Sequence, residues 1–250
     1  MIVQRLHLQA PETVNRTRWP YSIPAVAAMG DHGLEFHRPV TFLVGENGSG
    51  KSTIVEAIAD ACKIPSHGGK GGTKYASTTT LTPLGEVLQA DLTVEGRALT
   101  LGPRRRRKGF FFRAETLFNL GQNVSGMYGF WDEPLTEQSH GEGFFTVLEA
   151  MFNDPGLYLM DEPEAALSFT SCLRLVALMD HLATIGGQII CATHSPILTA
   201  LPGADILELG DHGLRRTAWD QLQLVDHWRR FMAKPDLYLR HITNDEDIRR

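Results

Sequence analysis

The sequence predicts an α/β fold with a mostly parallel sheet and an antiparallel β portion at its side. Three observations predict it. An apolar run, VTFLV, leads into the glycine-rich GENGSGKST and then into IVEAIADA, whose apolar residues recur at helical spacing. In the second half, buried-looking strands alternate with helical segments, the pattern of a layered parallel sheet. In the first half, short alternating segments read as strands and hairpins.

In chain order, Met1 to Gln9 reads as a strand, and Ala10 to Ala28 as an irregular stretch punctuated by Pro11, Pro20 and Pro24. Leu34 to His37 and Val40 to Val44 read as two strands leading to the glycine loop. The helix after the loop is expected to end near Lys63, ahead of Pro65. Ser66 to Thr82, rich in Gly, Lys, Ser and Thr, is a long loop. Leu88 to Leu101 alternates like a hairpin turning at Glu95-Gly96. The basic run Arg104 to Lys108 precedes Phe110 to Phe112, and Thr116 to Leu120 opens a short helix. Gly143 to Phe152 is a helix with a broad apolar face, and Leu157 to Met160 a buried strand. An amphipathic helix over Phe169 to Thr184 stops at Gly186-Gly187. Gln188 to Ala192 is the next strand. Asp205 to Leu209 and Leu214 to Thr217 form strands about a turn, and Trp219 to Met232 is a final helix.

Composition narrows the class. At 250 residues with a hydrophobic fraction of 42%, the chain suits one large domain with a full core. A net charge of -5 argues against a general polyanion binder and leaves local patches open. The three cysteines, Cys62, Cys172 and Cys191, have no C-x-x-C spacing; they read as reduced, buried thiols rather than disulfides or a zinc site. No apolar run has the length to span a bilayer, and MIVQRLHLQAPE lacks a signal-peptide core, so a cytoplasmic location is expected.

The glycine loop carries the first chemistry. G-x-x-x-x-G-K-[ST] is complete from Gly45 to Ser52, and Gly45, Glu46, Asn47, Gly48, Ser49, Gly50, Lys51, Ser52 and Thr53 are the candidate phosphate-binding residues. Glycines let successive backbone N–H groups point inward at phosphate oxygens, and the following helix adds the positive end of its dipole. Lys51 is placed to reach the β- and γ-phosphates, and the Ser52 hydroxyl to ligate Mg²⁺.

LYLMDEPEAAL supplies a second constellation: a strand with two carboxylates at its end. Beside a phosphate loop, Asp161 is the candidate metal ligand and Glu162 the candidate general base for the attacking water. CATHSP ends a third buried strand in Thr193, His194 and Ser195. His194 there lies on the sheet edge where ligands bind and is a candidate sensor of the γ-phosphate. In SHGEGFFTVLEA, Ser139, Gly141 and Gly143 stand just before a helix, a second anion-binding start or a plain cap, and Ser139 is 22 residues before Asp161.

In that order the motifs resemble those of ABC-type ATPases, closest to the branch of Rad50, SMC and RecF-like proteins and to small stand-alone bacterial ATPases of the AAA/ABC type. GENGSGKST matches the phosphate loop, SHGEG the signature, LYLMDEP the Walker B strand, EAALS the D-loop and ATHSP the switch histidine. The resemblance implies one ATPase domain over 1–250, with an insert at roughly 66–140, binding ATP and Mg²⁺. It implies a head-to-tail homodimer that traps two ATP molecules. Ser139, Gly141 and Gly143 would then act on the partner's nucleotide, and Ala165 to Ser168 would cross the interface. Two features depart from the family. Histidine stands within the signature, and the glutamine that helps hold metal and water has no clean match. Glu115 in FFFRAET, as a metal-side carboxylate, or Gln122 stands near its place. Arg16, Arg18 and Trp19 are candidates for the adenine contact.

No N-K-x-D motif supports a GTPase, and no helical lid follows the core as in an AAA+ unfoldase. Three readings stand. One is an ATP-gated dimer acting on nucleic acid or a protein partner. Another is the motor subunit of a membrane transporter, and the third a slow-turnover, ATP-dependent clamp. The run Arg104 to Lys108 suits contact with a DNA backbone, or is a solvated loop.

Overall fold

The structure, a computed structural model, describes residues 1–70, 80–103, 107–113, 145, 148 and 152–243. Its strands are β1 (Val3–Leu8), β2 (Leu34–Glu35), β3 (Val40–Gly45), β4 (Gly69–Lys70), β5 (Leu88–Leu92), β6 (Gly109–Arg113), β7 (Leu157–Asp161), β8 (Gln188–Thr193), β9 (Asp205–Gly210) and β10 (Gly213–Arg216). Its helices are α1 (Pro24–His32), α2 (Lys51–Ala61), α3 (Val94–Thr100), α4 (Phe169–Thr184), α5 (Gln223–Ala233) and α6 (Asp236–Thr243).

Seven strands form one sheet in the order β10-β9-β3-β8-β7-β6-β4. The five central strands are parallel, and β10 and β4 pair antiparallel at the two edges. A second sheet, β2-β1-β5, is antiparallel throughout. This is the mostly parallel sheet with an antiparallel side portion expected from the sequence.

Period-two alternation sorts the central strands between two cores. Leu43, Leu159 and Ile190 face one side and pack with Ile54, Val55 and Ile58 of α2 and with Val3 and Leu6 of β1. Phe42, Val44, Met160 and Cys191 face the other and pack with Cys172, Leu175, Met179 and Leu182 of α4. Helix α2 thus lies between the two sheets, while α4 covers the outer face. Gln188, fully buried, ties the layers: its Oε1 accepts from the amides of Ile2 and Val3 at 2.7 Å each, and its Nε2 donates to the Val3 carbonyl at 3.0 Å.

Four expectations are corrected. The stretch Ala10 to Ala28 is not irregular throughout, because Pro24 opens α1 from its first turn, where the missing N–H is no loss. The hairpin expected over Leu88 to Leu101 is a strand followed by α3. Thr93 caps α3 by accepting from the Gly96 amide at 2.9 Å, and β5 pairs with β1 instead. The space beside Gly96 allows it: a Cβ there would stand 2.3 Å from the Ile2 carbonyl oxygen. The loop expected from Ser66 includes the two-residue edge strand β4, paired to β6. The final helix begins later, at Gln223, after a 3-10 turn over Trp219–Gln221, and α6 follows it. The segment Thr116 to Leu120 lies outside the described residues.

Candidate functional site

Because the five central strands run in parallel, their carboxyl ends share one edge. That edge brings together Gly45, Arg113, Asp161, Thr193 and Gly210, with registers Arg113 to Asp161, Asp161 to Ala192 and Val44 to Thr193. Open parallel sheets bind their ligands there.

The loop from Gly45 to Gly50 needs its glycines. Gly48 and Gly50 have φ of 81° and 98°, the left-handed region that a side chain disfavours. A Cβ on Gly45 would stand 2.4 Å from the Leu209 carbonyl oxygen, and one on Gly50 would stand 2.9 Å from Ile23 Cγ2. Gly50 caps α2, so the amides of Lys51 and the residues after it open toward the loop. The Lys51 ammonium donates to the carbonyls of Gly45 at 2.8 Å and Glu46 at 3.1 Å. Burial lowers the pKa of Lys51, against the opposing pull of Glu162, Asp161, Glu164 and Glu46. Ser49 Oγ, inside the loop, is buried with no hydrogen-bond partner, as a hydroxyl awaiting an oxyanion is.

Ser52 and Asp161, 109 positions apart, meet: Ser52 Oγ donates to Asp161 Oδ1 at 2.9 Å. A hydroxyl and a carboxylate side by side are hard oxygen ligands suited to Mg²⁺, which keeps several waters and takes few protein ligands. Among the described residues no group of three or more His, Cys, Asp or Glu side chains is arranged to hold a metal ion. Burial raises the pKa of Asp161, and the Ser52 hydrogen bond and Arg113 work against that rise. Arg113 places one nitrogen 3.6 Å from Asp161 Oδ2 and donates from another to Glu56 at 2.6 Å.

Glu162 leaves the strand in the left-handed region, φ 48° and ψ 50°, while its amide donates to the Ala192 carbonyl at 2.9 Å. A non-glycine residue in this conformation is strained, and such strain collects at working sites. The twist turns Glu162 away from Asp161, so the adjacent carboxylates take separate surroundings: Asp161 is buried and Glu162 is half-exposed. Glu162 Oε1 lies 3.3 Å from His194 Nε2. That nitrogen is buried and in ion-pair range, without the alignment of a hydrogen bond.

The sequence reading missed Glu164. Its Oε1 accepts from the His194 amide at 2.5 Å, joining the turn after β7 to the end of β8, and its Oε2 is buried. Burial raises its pKa. Glu56 and Arg113 were missed as well; in the sequence Arg113 was only the residue after three phenylalanines.

Gly45 through Thr53, Asp161, Glu162 and His194 are thus assembled at one edge. Ser139, Gly141, Gly143, Glu115 and Gln122 lie outside the described residues. Of the adenine candidates, Arg16 is paired with Asp31 at 2.6 Å, and Trp19 is 62% exposed. Both precede α1, whose Val26, with Ile23 just before it, flanks Gly50. A cavity of about 540 Å³ runs from Glu46 to Ser49 past His194 to the β9–β10 turn at Asp211 and His212. Of the basic run, Arg107 donates to the Gly102 carbonyl and Lys108 pairs with Asp154. The three cysteines are free and buried, as expected, and burial pushes the Cys62 thiol up to about 12. No helix among the described residues is long and apolar enough to cross a membrane.

Residues 26–87 match the family model described as an AAA domain. Over 246 residues the chain is 30% identical to the molybdenum import ATP-binding protein ModC of Hahella chejuensis, covering 85% of this chain and 61% of that protein. It is 26% identical over 190 residues to the ribose import ATP-binding protein RbsA of a Jannaschia species, covering 69% of this chain and 36% of that protein. It is also 26% identical over 167 residues to the cytochrome c biogenesis ATP-binding export protein CcmA of Salmonella typhi, covering 65% of this chain and 77% of that protein. The chain therefore spans less than two thirds of the length of the first two relatives. Among solved structures, an SMC head bound to the C-terminal winged-helix domain of ScpA superposes with a TM-score of 0.51 at 13% identity, over 87% of this chain and 98% of that one. The fold, an α/β fold with a mostly parallel sheet and an antiparallel portion, is that of the SMC head.

Proposed function

We propose that this chain, with the fold of ABC-type P-loop ATPases, binds ATP with Mg²⁺ and hydrolyses it between two copies of itself. One observation carries the reading: the hydrogen bond from Ser52 to Asp161, with Glu162 and His194 beside it. It supports the reading because the residues proposed as phosphate cradle, metal ligands and base then share one small volume. In this reading the loop from Gly45 to Thr53 holds the phosphates and Lys51 neutralises them. Ser52 and Asp161 would hold Mg²⁺, which would supply positive charge against the phosphates. Glu162 takes a proton from the attacking water, and His194 orients Glu162 and meets the γ-phosphate. Ser139, Gly141 and Gly143 are proposed to complete the partner's site, and Glu115 or Gln122 to complete the metal side. The unit is proposed to span 1–250 in the cytoplasm, and to act on nucleic acid or a protein partner.

A second reading is favoured by a specific observation: the curated relatives named above are ATP-binding proteins of import and export systems. Under it, the same dimer drives a membrane partner on another chain. In a slow-turnover clamp, ATP closes the dimer and turnover is rare.

Glu162→Gln tests the core of the proposal. The expected outcome is loss of turnover by at least about a hundredfold, as for removal of a general base, together with a dimer that persists in ATP and Mg²⁺. Light scattering that shows only monomer for this variant would refute the shared site, and unchanged turnover would refute Glu162 as the base.

A further inference from the structure

Arg113 and Glu56 form, beside Asp161, a charged pair that the proposed chemistry does not use. The three residues come from three elements: the end of β6, the second turn of α2 and the end of β7. Each side chain is no more than about a quarter exposed. Their arrangement is specific. Asp161 divides its two oxygens, Oδ1 accepting from Ser52 and Oδ2 facing Arg113 at 3.6 Å. Arg113 gives its shorter contact, 2.6 Å, to Glu56. Parallel pairing of β6 with β7 sets the distance, because Arg113 and Asp161 are register partners. Glu56 sits four residues after Ser52, one helical turn further along α2 on the same face.

We propose that Arg113 is a positioning residue that competes with Mg²⁺ for Asp161, and that Glu56 sets the strength of the competition by holding the guanidinium back. This rests on the reading of Ser52 and Asp161 as metal ligands. The physical reason is that one carboxylate faces two cations. A metal at Ser52 and Oδ1 is repelled by the guanidinium across the same carboxylate, in surroundings less screening than water. Glu56 draws that charge away and offsets part of the repulsion. An arginine suits the task because it stays charged at any working pH and its planar fork spans two carboxylates. The consequence is graded metal affinity: strong enough to close the site over nucleotide, and weak enough to let the metal leave with product.

The test measures how far saturating Mg²⁺ tightens binding of a fluorescent, non-hydrolysable ATP analogue, as the ratio of affinities in excess Mg²⁺ and in EDTA. Reciprocity of linkage makes that ratio a measure of metal binding at the site. Arg113→Met is expected to raise the ratio roughly five- to tenfold, from removal of one nearby like charge, and Arg113→Lys to restore most of the original value. Glu56→Gln is expected to lower it, since Arg113 is then released onto Asp161. Asp161→Asn is expected to bring the ratio close to one. If Arg113→Met and Glu56→Gln leave the ratio unchanged, or move it in the same direction, Arg113 is a structural ion pair and the inference is overturned. If Asp161→Asn leaves it unchanged, the metal reading itself fails, and the inference with it. Affinity in EDTA serves as the folding control, because a variant with a collapsed loop loses binding there too.

Discussion

At the scale of the residue, two positions decide what the edge can do, and a third sets a pH response. Gly50 stands at φ 98° with Ile23 within 2.9 Å of where a Cβ would be. Gly50→Ala is expected to cost about 1–2 kcal/mol of stability and most of the nucleotide affinity, checked by thermal unfolding and by titration with the fluorescent analogue. Ser52 matters through its one hydrogen bond to Asp161. Glu164 sets the pH response. Its carboxyl is held above the ordinary value of 4.5 by burial, so the folded chain binds that proton more tightly than the unfolded one. The stability it contributes is therefore complete below 4.5 and is lost as pH rises through the raised folded value. Glu164→Gln keeps an acceptor for the His194 amide but does not titrate there. Its unfolding midpoint is expected to gain on that of the unsubstituted protein as pH rises from the ordinary carboxylate range toward neutrality. A difference independent of pH would count against the assignment. The phosphate loop and the pair Asp161-Glu162 were legible because each has a residue pattern. Glu164 and Arg113 were not, since a lone glutamate and a lone arginine say nothing until their partners are placed.

At the scale of the element, β3 with α2, then β7, then β8 carry the site, and local signals identified all of them. Runs that are apolar almost throughout mark strands buried on both faces, and helical spacing marked α2 and α4. The misreadings were of another kind. The alternation of Leu88 to Leu101 carries over into α3, which packs against β5, and Thr93 as a cap distinguishes helix from hairpin. Proline at 24 was read as a breaker where it is an opener. The junction of the two sheets is carried by Gln188, whose amide satisfies three backbone groups, the N–H of Ile2 and the N–H and carbonyl of Val3 at the start of β1. Gln188→Leu fills a similar volume and leaves those groups buried and unpaired. A loss of about 3 kcal/mol or more is expected in denaturant unfolding, with β1 amides exchanging faster; a variant as stable as the parent would show that water replaces the side chain.

At the scale of the whole molecule, the proposed ATP turnover is expected to act on a partner. The basic run offers the sharper test. Lys108 and Arg107 are already engaged with Asp154 and Gly102, so a contribution to DNA binding must come chiefly from Arg104 to Arg106, outside the described residues. If the chain works on DNA, linear duplex is expected to stimulate ATP turnover several-fold at low salt. The stimulation should fade as salt rises and disappear when Arg104 to Arg107 are replaced by alanine. Turnover indifferent to DNA would move the search to protein partners, including the membrane component of a transporter.

The sequence by itself determined the ligand class, the order of the motifs and the alternation of strands with helices, because these are written in local residue types and periods. Tertiary structure alone decided which strands are neighbours, and so which side chains meet. The order β9-β3-β8-β7-β6 puts β3 between strands drawn from more than a hundred residues further along the chain. That order brings Ser52 to Asp161, Glu162 to His194 and Arg113 to both Asp161 and Glu56. The physical reason is that a contact between distant residues depends on the pairing of whole strands, which is a property of the sheet and of the two cores packed on it rather than of any short stretch of chain.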